Sequence, residues 1–502
     1  MAGTSHCGHL IINIMTPSNI ELTDQQTGSQ QLRLLQSDLF AALFRKLATR
    51  NAMLYSAYFR RQLEKLPLLP VDSDAMQILH QASQFKQRIL ELIAQAERRI
   101  YLVALYLQDD EAGREIMQAL YAAKQARPQL DIKVFVDFHR AQRGLIGKGA
   151  QSGNHLMYQE FASKYPSCDI PFYGVPVKRR EWLGVLHLKG FLFDNTLLYS
   201  GASLNNVYLH QQDRYRFDRY HQIQNADLAD SFARLILRHF VNDVAVPRLD
   251  KTQIPGIKQI KAEQRRFRRR LQAGRYEFEE SVIGPRQFGV TPLLGLGKRG
   301  NRLNHAIRDL VRSASQEIFI CTPYFNPPSS LARDISGLLQ RKVKVTIVVG
   351  DKTANDFYIP PCEQFKTVGG LPYLYEINLR RFANRYQNYI DNGQLNIMLW
   401  QHEQHSYHLK GIFVDDQLSL ITGSNLNPRA WALDLENGML LRDPHRLLCE
   451  RFAAERANIL QHTRRLTHFS ELEQLQDYPD AVKRLLTRIQ RFKAHILLKQ
   501  IL

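Results

Sequence analysis

The chain contains itself twice, and this constrains its fold more than any other feature. Ala96-Glu97-Arg98-Arg99-Ile100-Tyr101-Leu102-Val103 and Ala314-Ser315-Gln316-Glu317-Ile318-Phe319-Ile320-Cys321 each read as the end of an amphipathic helix running into a strand. The strands continue to Tyr106-Leu107 and Tyr324-Phe325. A helix is predicted after each, near 112–126 and 329–341, and then a second strand rich in β-branched residues, 132–136 and 343–349. Strands alternating with helices predict an α/β sheet with parallel pairs. The spacing far exceeds the roughly 20–50 residues of a solenoid repeat, so this is the duplication of a whole domain.

Each copy carries the same polar segment. His187-Leu188-Lys189-Gly190 leads through Asp194 to Ser200-Gly201-Ala202-Ser203-Leu204-Asn205. His408-Leu409-Lys410-Gly411 leads through Asp415-Asp416 to Thr422-Gly423-Ser424-Asn425-Leu426-Asn427. On an alternating strand, side chains two apart share a face, so His and Lys project together. Imidazole is nucleophilic near neutral pH and also shuttles protons. The lysine offers a point charge to phosphate oxygens, while Asn and Ser offer neutral donors to the same oxygens. Two such sets facing each other supply one histidine to attack phosphorus and one to protonate the leaving group. With Lys and Asn carrying the charge stabilisation, no metal and no cofactor is required. The pattern therefore predicts one composite phosphoryl-transfer site.

Composition narrows the setting. The 502 residues carry 67 Lys+Arg against 48 Asp+Glu, a formal net charge of +19 that points to an anionic partner: nucleic acid, a membrane surface or a phosphorylated substrate. The five cysteines include no CxxC pair, so neither a zinc site nor a disulfide framework is suggested and free thiols are expected. No apolar run approaches the roughly 20 residues of a membrane span, and the N-terminus lacks the layout of a secretory signal. A cytoplasmic setting is expected from the free thiols, and lying on a membrane surface stays open.

The paired motif resembles the phospholipase D superfamily, whose signature is H-x-K-x4-D followed by a glycine–serine–asparagine corner. The first copy fits as far as Gly201; in the second, Asp415 keeps its spacing but Gly423 falls one residue late. Aligning the glycines pairs Asn205 with Asn427. From about Ala75 onward the chain is similar to the bacterial phosphatidylserine synthases of that superfamily. The resemblance is carried by Val136-Asp137-Phe138-His139-Arg140-Ala141-Gln142-Arg143-Gly144, Tyr173-Gly174-Val175-Pro176, Asp351-Lys352-Thr353-Ala354-Asn355-Asp356-Phe357-Tyr358, Leu371 to Phe382 and Asn425-Leu426-Asn427-Pro428-Arg429-Ala430-Trp431. The first 50 or so residues fall outside it and read as an extension, or as sequence upstream of a start at Met53.

This resemblance implies two tandem phospholipase D-like α/β domains forming a pseudo-symmetric body with one composite active site. It implies transfer of a phosphatidyl group from CDP-diacylglycerol to L-serine, in two steps through a phosphatidyl-histidine. His187 would attack and His408 would act as acid and base, with Lys189, Lys410, Asn205 and Asn427 holding the phosphate oxygens. An acidic residue after each asparagine corner would orient a histidine: Glu436 for the second half, Asp213 or Asp218 for the first. Arg140 and Arg143 follow a strand end and are candidates for the diphosphate; Asp351, Lys352, Asn355 and Asp356 are candidates for a nucleotide- or serine-facing loop. Rival readings are a glycerol 3-phosphate acceptor, as in phosphatidylglycerophosphate synthase, and a phosphodiesterase or nuclease in which water is the acceptor. Nucleic acid is not the expected partner, and the oligomeric state stays open with a homodimer among the options.

The lipid donor that the resemblance implies needs a membrane contact, with the protein peripheral to the inner face of the cell membrane, and two basic amphipathic segments are candidates. Ile257, Ile260, Phe267 and Leu271 follow helical spacing among Arg265, Arg266 and Arg269. Val482, Leu485, Ile489, Phe492 and Ile496 do the same among Arg484 and Arg488. Helices of this kind lie in the headgroup layer. The expected layout is a lead-in over 1–72, a first half over 73–250, a basic connector over 251–290, a second half over 291–465 and a basic tail helix over 466–502.

Overall fold

A computed structural model describes residues 52–143, 153–360 and 362–491; its main compact unit begins at Leu54. Two mixed sheets dominate. The first half orders its strands as Met76–Leu79, Tyr220–Gln224, Thr196–Ser200, Gly190–Phe193, Arg99–Val103, Asp131–Asp137 and Phe172–Val175. The second orders Leu69–Asp72, Gln287–Leu296, Leu435–Arg442, Leu418–Thr422, Gly411–Val414, Glu317–Cys321, Lys344–Gly350, Leu395–Trp400 and Thr463–Leu466. From Tyr220–Gln224 and from Leu435–Arg442 the next five strands follow in the same order, so the duplication read in sequence is a duplication of sheet topology. The α/β expectation holds. One boundary differs: Leu69–Asp72, in the predicted lead-in, pairs antiparallel with Gln287–Leu296 and so belongs to the second sheet.

The pairing follows the connections. Arg99–Val103 lies parallel to Asp131–Asp137, and Glu317–Cys321 parallel to Lys344–Gly350. The crossovers are the helices Glu111–Ala126 and Ser329–Gln340, as parallel neighbours require. Gly190–Phe193 and Gly411–Val414 instead enter hairpins with Thr196–Ser200 and Leu418–Thr422 and are antiparallel. Each half packs helices over one sheet face. Phe85, Ile89, Leu92 and Ile93 of one helix and Ile307, Leu310 and Val311 of another are buried there. A third apolar cluster is shared between the halves. It includes Leu186, Leu188 and Phe217 from the first and Tyr407, Leu409 and Leu435 from the second. Those residues flank the motif histidines, so the core itself puts the two motifs together.

Both basic amphipathic helices form, and both use their apolar faces on the protein body. In the helix Lys261–Ala273, Phe267 is fully buried and packs against Phe240, with Leu271 beside it. This corrects the expectation that Phe267 enters a membrane: burying a phenylalanine in the core is worth about 2–3 kcal/mol, and the side chain is already out of water. Arg265, Arg266 and Arg269 stay exposed. In the helix Asp480–Arg491, Val482 and Leu486 pack on Tyr373, Leu374 and Tyr478, while Arg484 and Arg488 are exposed. Phe492 lies outside the described residues. Among the described residues no helix is long and apolar enough to cross a membrane.

Candidate active site

The two His-x-Lys triplets are extended but stand outside the sheets, where an alternating strand was expected to carry them. The ladders begin one residue later, at Gly190 and Gly411, whose φ values are 146° and 152°. L-residues rarely adopt that region. A Cβ at Gly190 would lie 2.5 Å from Phe232, and one at Gly411 would collide with the Arg219 guanidinium. These glycines let each triplet leave its own sheet and pair with the other half. The His187 amide donates to Leu435 O at 2.9 Å, and the Leu435 amide to Val185 O at 3.0 Å. Likewise the His408 amide donates to Phe217 O at 2.8 Å, and Ser406–Tyr407 runs parallel to Arg216–Phe217. Leu188 and Leu409 point into the shared core, leaving His and Lys on the opposite side.

That exchange brings each histidine to the acid of the other half. His187 Nδ1 lies 2.9 Å from Glu436 Oε2, and His408 Nδ1 lies 2.9 Å from Asp218 Oδ2. Sequence reasoning selected both acids but assigned each to the histidine of its own half; the structure crosses them. The reason is the strand exchange: Glu436 follows Leu435, which pairs beside His187, and Asp218 follows Phe217, which pairs beside His408. Asp213, the competing candidate, is exposed. With Nδ1 engaged by a carboxylate, the other ring nitrogen of each histidine is set as the reactive one.

The asparagine corners superpose despite the extra residue in the second motif. The first hairpin closes from Phe193 to Thr196, the second from Val414 to Leu418, so the added residue enlarges the turn. Beyond it the register is restored: the Ala202 amide donates to Ser200 Oγ and the Ser424 amide to Thr422 Oγ1, both at 3.1 Å. Asn205 Oδ1 accepts from the Tyr208 amide at 3.0 Å, and Asn427 Oδ1 from the Ala430 amide at 2.9 Å. Each amide NH2 is thereby turned away from its own cap. Lys189 Nζ donates to Ser203 Oγ at 3.0 Å, and Lys410 Nζ to Asp218 Oδ2 at 3.1 Å. Asp194 and Asp415 stand behind the site, as scaffold. Asp194 accepts from the amides of Glu97, Arg98 and Arg99, and Asp415 from those of Ser315, Gln316 and Glu317.

Burial dominates the electrostatics. It holds the His187 imidazolium well below its usual range, with Lys189 and Lys410 adding repulsion, and it brings Lys189 down to about 7. His408 is lowered to about 4 by burial and by Lys410, partly offset by its bond to Asp218. The acids diverge. Burial, reinforced by Asp434, pushes Glu436 well above the ordinary carboxylate range. Burial also pushes Asp218 up, but Lys410 and His408 outweigh it and leave that carboxyl below its usual value. Both sides are equally buried, and they differ in their acids: the Glu436 carboxyl is shifted toward its neutral form, while Asp218 is held ionised.

The predicted substrate contacts fare differently. Arg143 is engaged with Glu181 at 2.5 and 2.6 Å, so it is a structural tie. Arg140 sits 4.7 Å over the Tyr106 ring, with Asp137 Oδ1 capping its turn. Lys352 is held by Glu376 at 3.2 Å and Glu473 at 2.5 Å, and Asp351 caps the turn at Thr353. Asn355 accepts from the Phe357 amide. Of the four loop candidates it is Asp356 that turns toward His408, where it pairs with Arg216 at 2.7 Å and accepts from Tyr324 Oη at 2.9 Å. Tyr208 Oη lies 3.2 Å from His408 Nδ1. Sequence reasoning gave no role to Tyr208, Arg216 or Tyr324. Their only sequence signal was proximity to Asn205, Asp218 and a strand end.

Known proteins give the same outline. The family model described as cardiolipin synthase, PLD-like domain, matches residues 307–462. The chain is similar to the CDP-diacylglycerol–serine O-phosphatidyltransferase of Haemophilus influenzae, 48% identical over 445 residues, which cover 88% of this chain and 98% of the relative. The Escherichia coli counterpart is 47% identical over 443 residues, with 88% and 98% covered. The CDP-diacylglycerol–glycerol-3-phosphate 3-phosphatidyltransferase of Schizosaccharomyces pombe is 24% identical, with 84% of this chain and 95% of the relative covered. The crystal structure of phosphatidylserine synthase from Haemophilus influenzae matches with a TM-score of 0.86 at 47% identity, covering 89% of this chain and all of that one (100%).

Proposed function

This chain belongs to the CDP-diacylglycerol–serine O-phosphatidyltransferase family of phospholipase D-like proteins, and we propose that it transfers the phosphatidyl group of CDP-diacylglycerol to L-serine in two steps. The observation that carries the two-step reading is the crossed pair of histidines, each bonded through Nδ1 to a carboxylate of the other half. In the first step His187 Nε2 attacks the phosphorus that bears diacylglycerol. The N–P bond forms, the bond to the CMP oxygen breaks, and His408, which enters this step as the imidazolium once the donor's diphosphate charge fills the site, gives that oxygen a proton. In the second step His408 takes the proton of the serine hydroxyl, the serine oxygen bonds to phosphorus, and the N–P bond breaks to restore His187. Lys189, Lys410, Asn205 and Asn427 hold the non-bridging oxygens.

The roles follow from the two environments. A nucleophile has to be unprotonated, and burial with Lys189 and Lys410 nearby favours the neutral His187 ring, whose Glu436 partner does little to stabilise an imidazolium. An acid–base group has to accept a proton readily in the loaded site, and the ionised Asp218 stabilises the imidazolium that forms at His408. Labelled CDP-diacylglycerol supplied with serine, glycerol 3-phosphate or water tests the acceptor: serine-dependent CMP release is expected, and cleavage of nucleic acid without lipid turnover would overturn it. An acid-quenched digest tests the nucleophile. The phosphatidyl label is expected on the His187 peptide, and label only on the His408 peptide would reverse the assignment.

The donor is a lipid, and the protein would meet it at a membrane surface. The support is the exposed basic face formed by Arg265, Arg266 and Arg269, and that formed by Arg484 and Arg488. With Phe267, Val482 and Leu486 buried, the contact is electrostatic, worth about 1 kcal/mol per basic residue near an anionic surface. Binding to vesicles should rise with anionic lipid and fall with salt; equal binding to neutral vesicles would sink the idea.

A further inference from the structure

Beside His408 the protein buries an ion pair that the two-step chemistry does not use. The side chains of Arg216 and Asp356 are 16% and 8% exposed, with Arg216 Nε 2.7 Å from Asp356 Oδ1. Asp356 Oδ2 accepts from Tyr324 Oη at 2.9 Å, while Oδ1 faces Arg216 as an ion pair that falls outside hydrogen-bond geometry. The Arg216 guanidinium lies 4.5 Å over the Tyr208 ring. Tyr208 and Tyr324 also wall His408, at ring-centroid distances of 5.4 and 6.2 Å. The pair and the proposed acid–base residue therefore share the same two tyrosine walls. Buried ion pairs contribute little net stability, because desolvation offsets the attraction. A buried pair of opposite charges beside the acid–base residue is matched by a ligand that brings both charges.

We propose that Asp356 and Arg216 form the subsite that reads the acceptor's zwitterion: Asp356 takes the α-ammonium, Arg216 takes the carboxylate, and the hydroxyl is left facing His408. This rests on serine being the acceptor and specifies how it is chosen. A serine zwitterion brings one positive and one negative group to a site holding one of each. A glycerol 3-phosphate acceptor brings two negative charges and no cation, so Asp356 repels it. Water brings no handle and is bound without orientation. Burial alone would push the Asp356 carboxyl up, but Arg216, His408, Ser406 and Tyr324 together hold it below its usual value, so the ammonium meets a carboxylate. In the first half Arg143, the cation of the corresponding post-strand loop, is tied to Glu181. Among the described residues, only the second half presents a carboxylate to its histidine from that loop.

The test compares the two half-reactions in the full-length enzyme. Exchange of labelled CMP into CDP-diacylglycerol without serine reports the donor step, and phosphatidylserine formation reports the whole. For Asp356→Asn, serine transfer should fall about 30-fold more than CMP exchange, chiefly through KM for serine. Its preference for serine over 3-hydroxypropionate, which lacks the ammonium, should collapse. Arg216→Gln should instead lose the preference for serine over ethanolamine, which lacks the carboxylate. An unchanged serine KM in both variants, or transfer and exchange falling in parallel, would overturn the subsite. Should either variant fail to fold by its thermal transition, Asp356→Ser and Arg216→Lys read the same two preferences. No serine transfer by the wild-type enzyme would overturn the acceptor assignment itself, and the wild-type control reads that separately from the variants.

Discussion

Behind the His187 triplet, Asn437 clamps the chain with its neutral amide: Oδ1 accepts from the Lys189 amide at 2.9 Å and Nδ2 donates to Lys189 O at 2.8 Å. Behind the His408 triplet the corresponding residue is Arg219, which reaches Leu420 O at 3.2 Å and Lys410 O at 3.5 Å. Arg219 is held by Glu455 at 2.8 and 2.9 Å, and Glu455 also meets His221 at 3.0 Å. The backbone positions match; the chemistry of the clamp does not. Burial pushes Glu455 up, but Arg219 and His221 outweigh it and hold that carboxylate far below its ordinary range. Asp218 is the neighbour of this network, with the Arg219 amide on its Oδ1 at 2.9 Å and Lys410 on its Oδ2. Duplication supplied two equal frames, equally buried, and substitution behind the motifs gave one half-site a neutral clamp and the other an ionic one. Equal histidines can then do unequal work.

The largest expected break in this symmetry is at the acids. Asp218→Asn replaces an ionised partner of both His408 and Lys410, and kcat should fall by about 10³-fold or more, as when an imidazole is left with the wrong tautomer. Glu436→Gln replaces a carboxyl whose burial already favours its neutral form, so its loss should be nearer 10-fold. Steady-state rates of CMP release check this, and equal losses would erase the proposed division of roles. A smaller effect is expected on stability in acid. The folded-state pKa of His408 is about 4 against an ordinary 6.5. The unfolded chain therefore binds the proton first as pH falls. Stability is lost between those two values, by about 3 kcal/mol for this group. His408→Asn should flatten that part of the profile in urea unfolding at pH 7 and pH 4.5, and an unaltered slope would contradict a buried neutral imidazole. The smallest effect is expected at the turns. One glycine inserted between Asp194 and Asn195 lengthens the first hairpin to the size of the second, and kcat should change less than about twofold, since lengthening a surface loop costs little. A large loss would show that turn length reaches Asn205.

Much of the molecule was legible in the sequence because its information was local and repeated. Matching apolar strands and helices at Ala96 and Ala314 gave away the duplicated α/β frame. The His-x-Lys and asparagine segments named the groups that the structure gathers. The rest was hidden for definite reasons. Phe267 fits the apolar stripe of a membrane-surface helix and that of a packed helix equally well; only the presence of Phe240 opposite it decides. Arg143 and Lys352 look like free cations until Glu181 and Glu376 are seen in contact with them. The late glycine at Gly423 looked like a distortion of the site, but a hairpin turn absorbs a residue without shifting the strands it joins.

By itself, then, the sequence determined the repeat, the fold class and the reacting residue types, because periodicity and motif spacing are properties of neighbouring residues. Which acid serves which histidine was decided only by tertiary structure. Gly190 and Gly411 turn each triplet out of its own sheet and onto a strand of the other half. The partners that result are Glu436 for His187 and Asp218 for His408, separated by |i−j| of 249 and 190. The same crossing placed Asp356 and Arg216, from opposite halves, around one histidine. Chain proximity carries no signal for such contacts, because they are made by the packing of one complete half on the other.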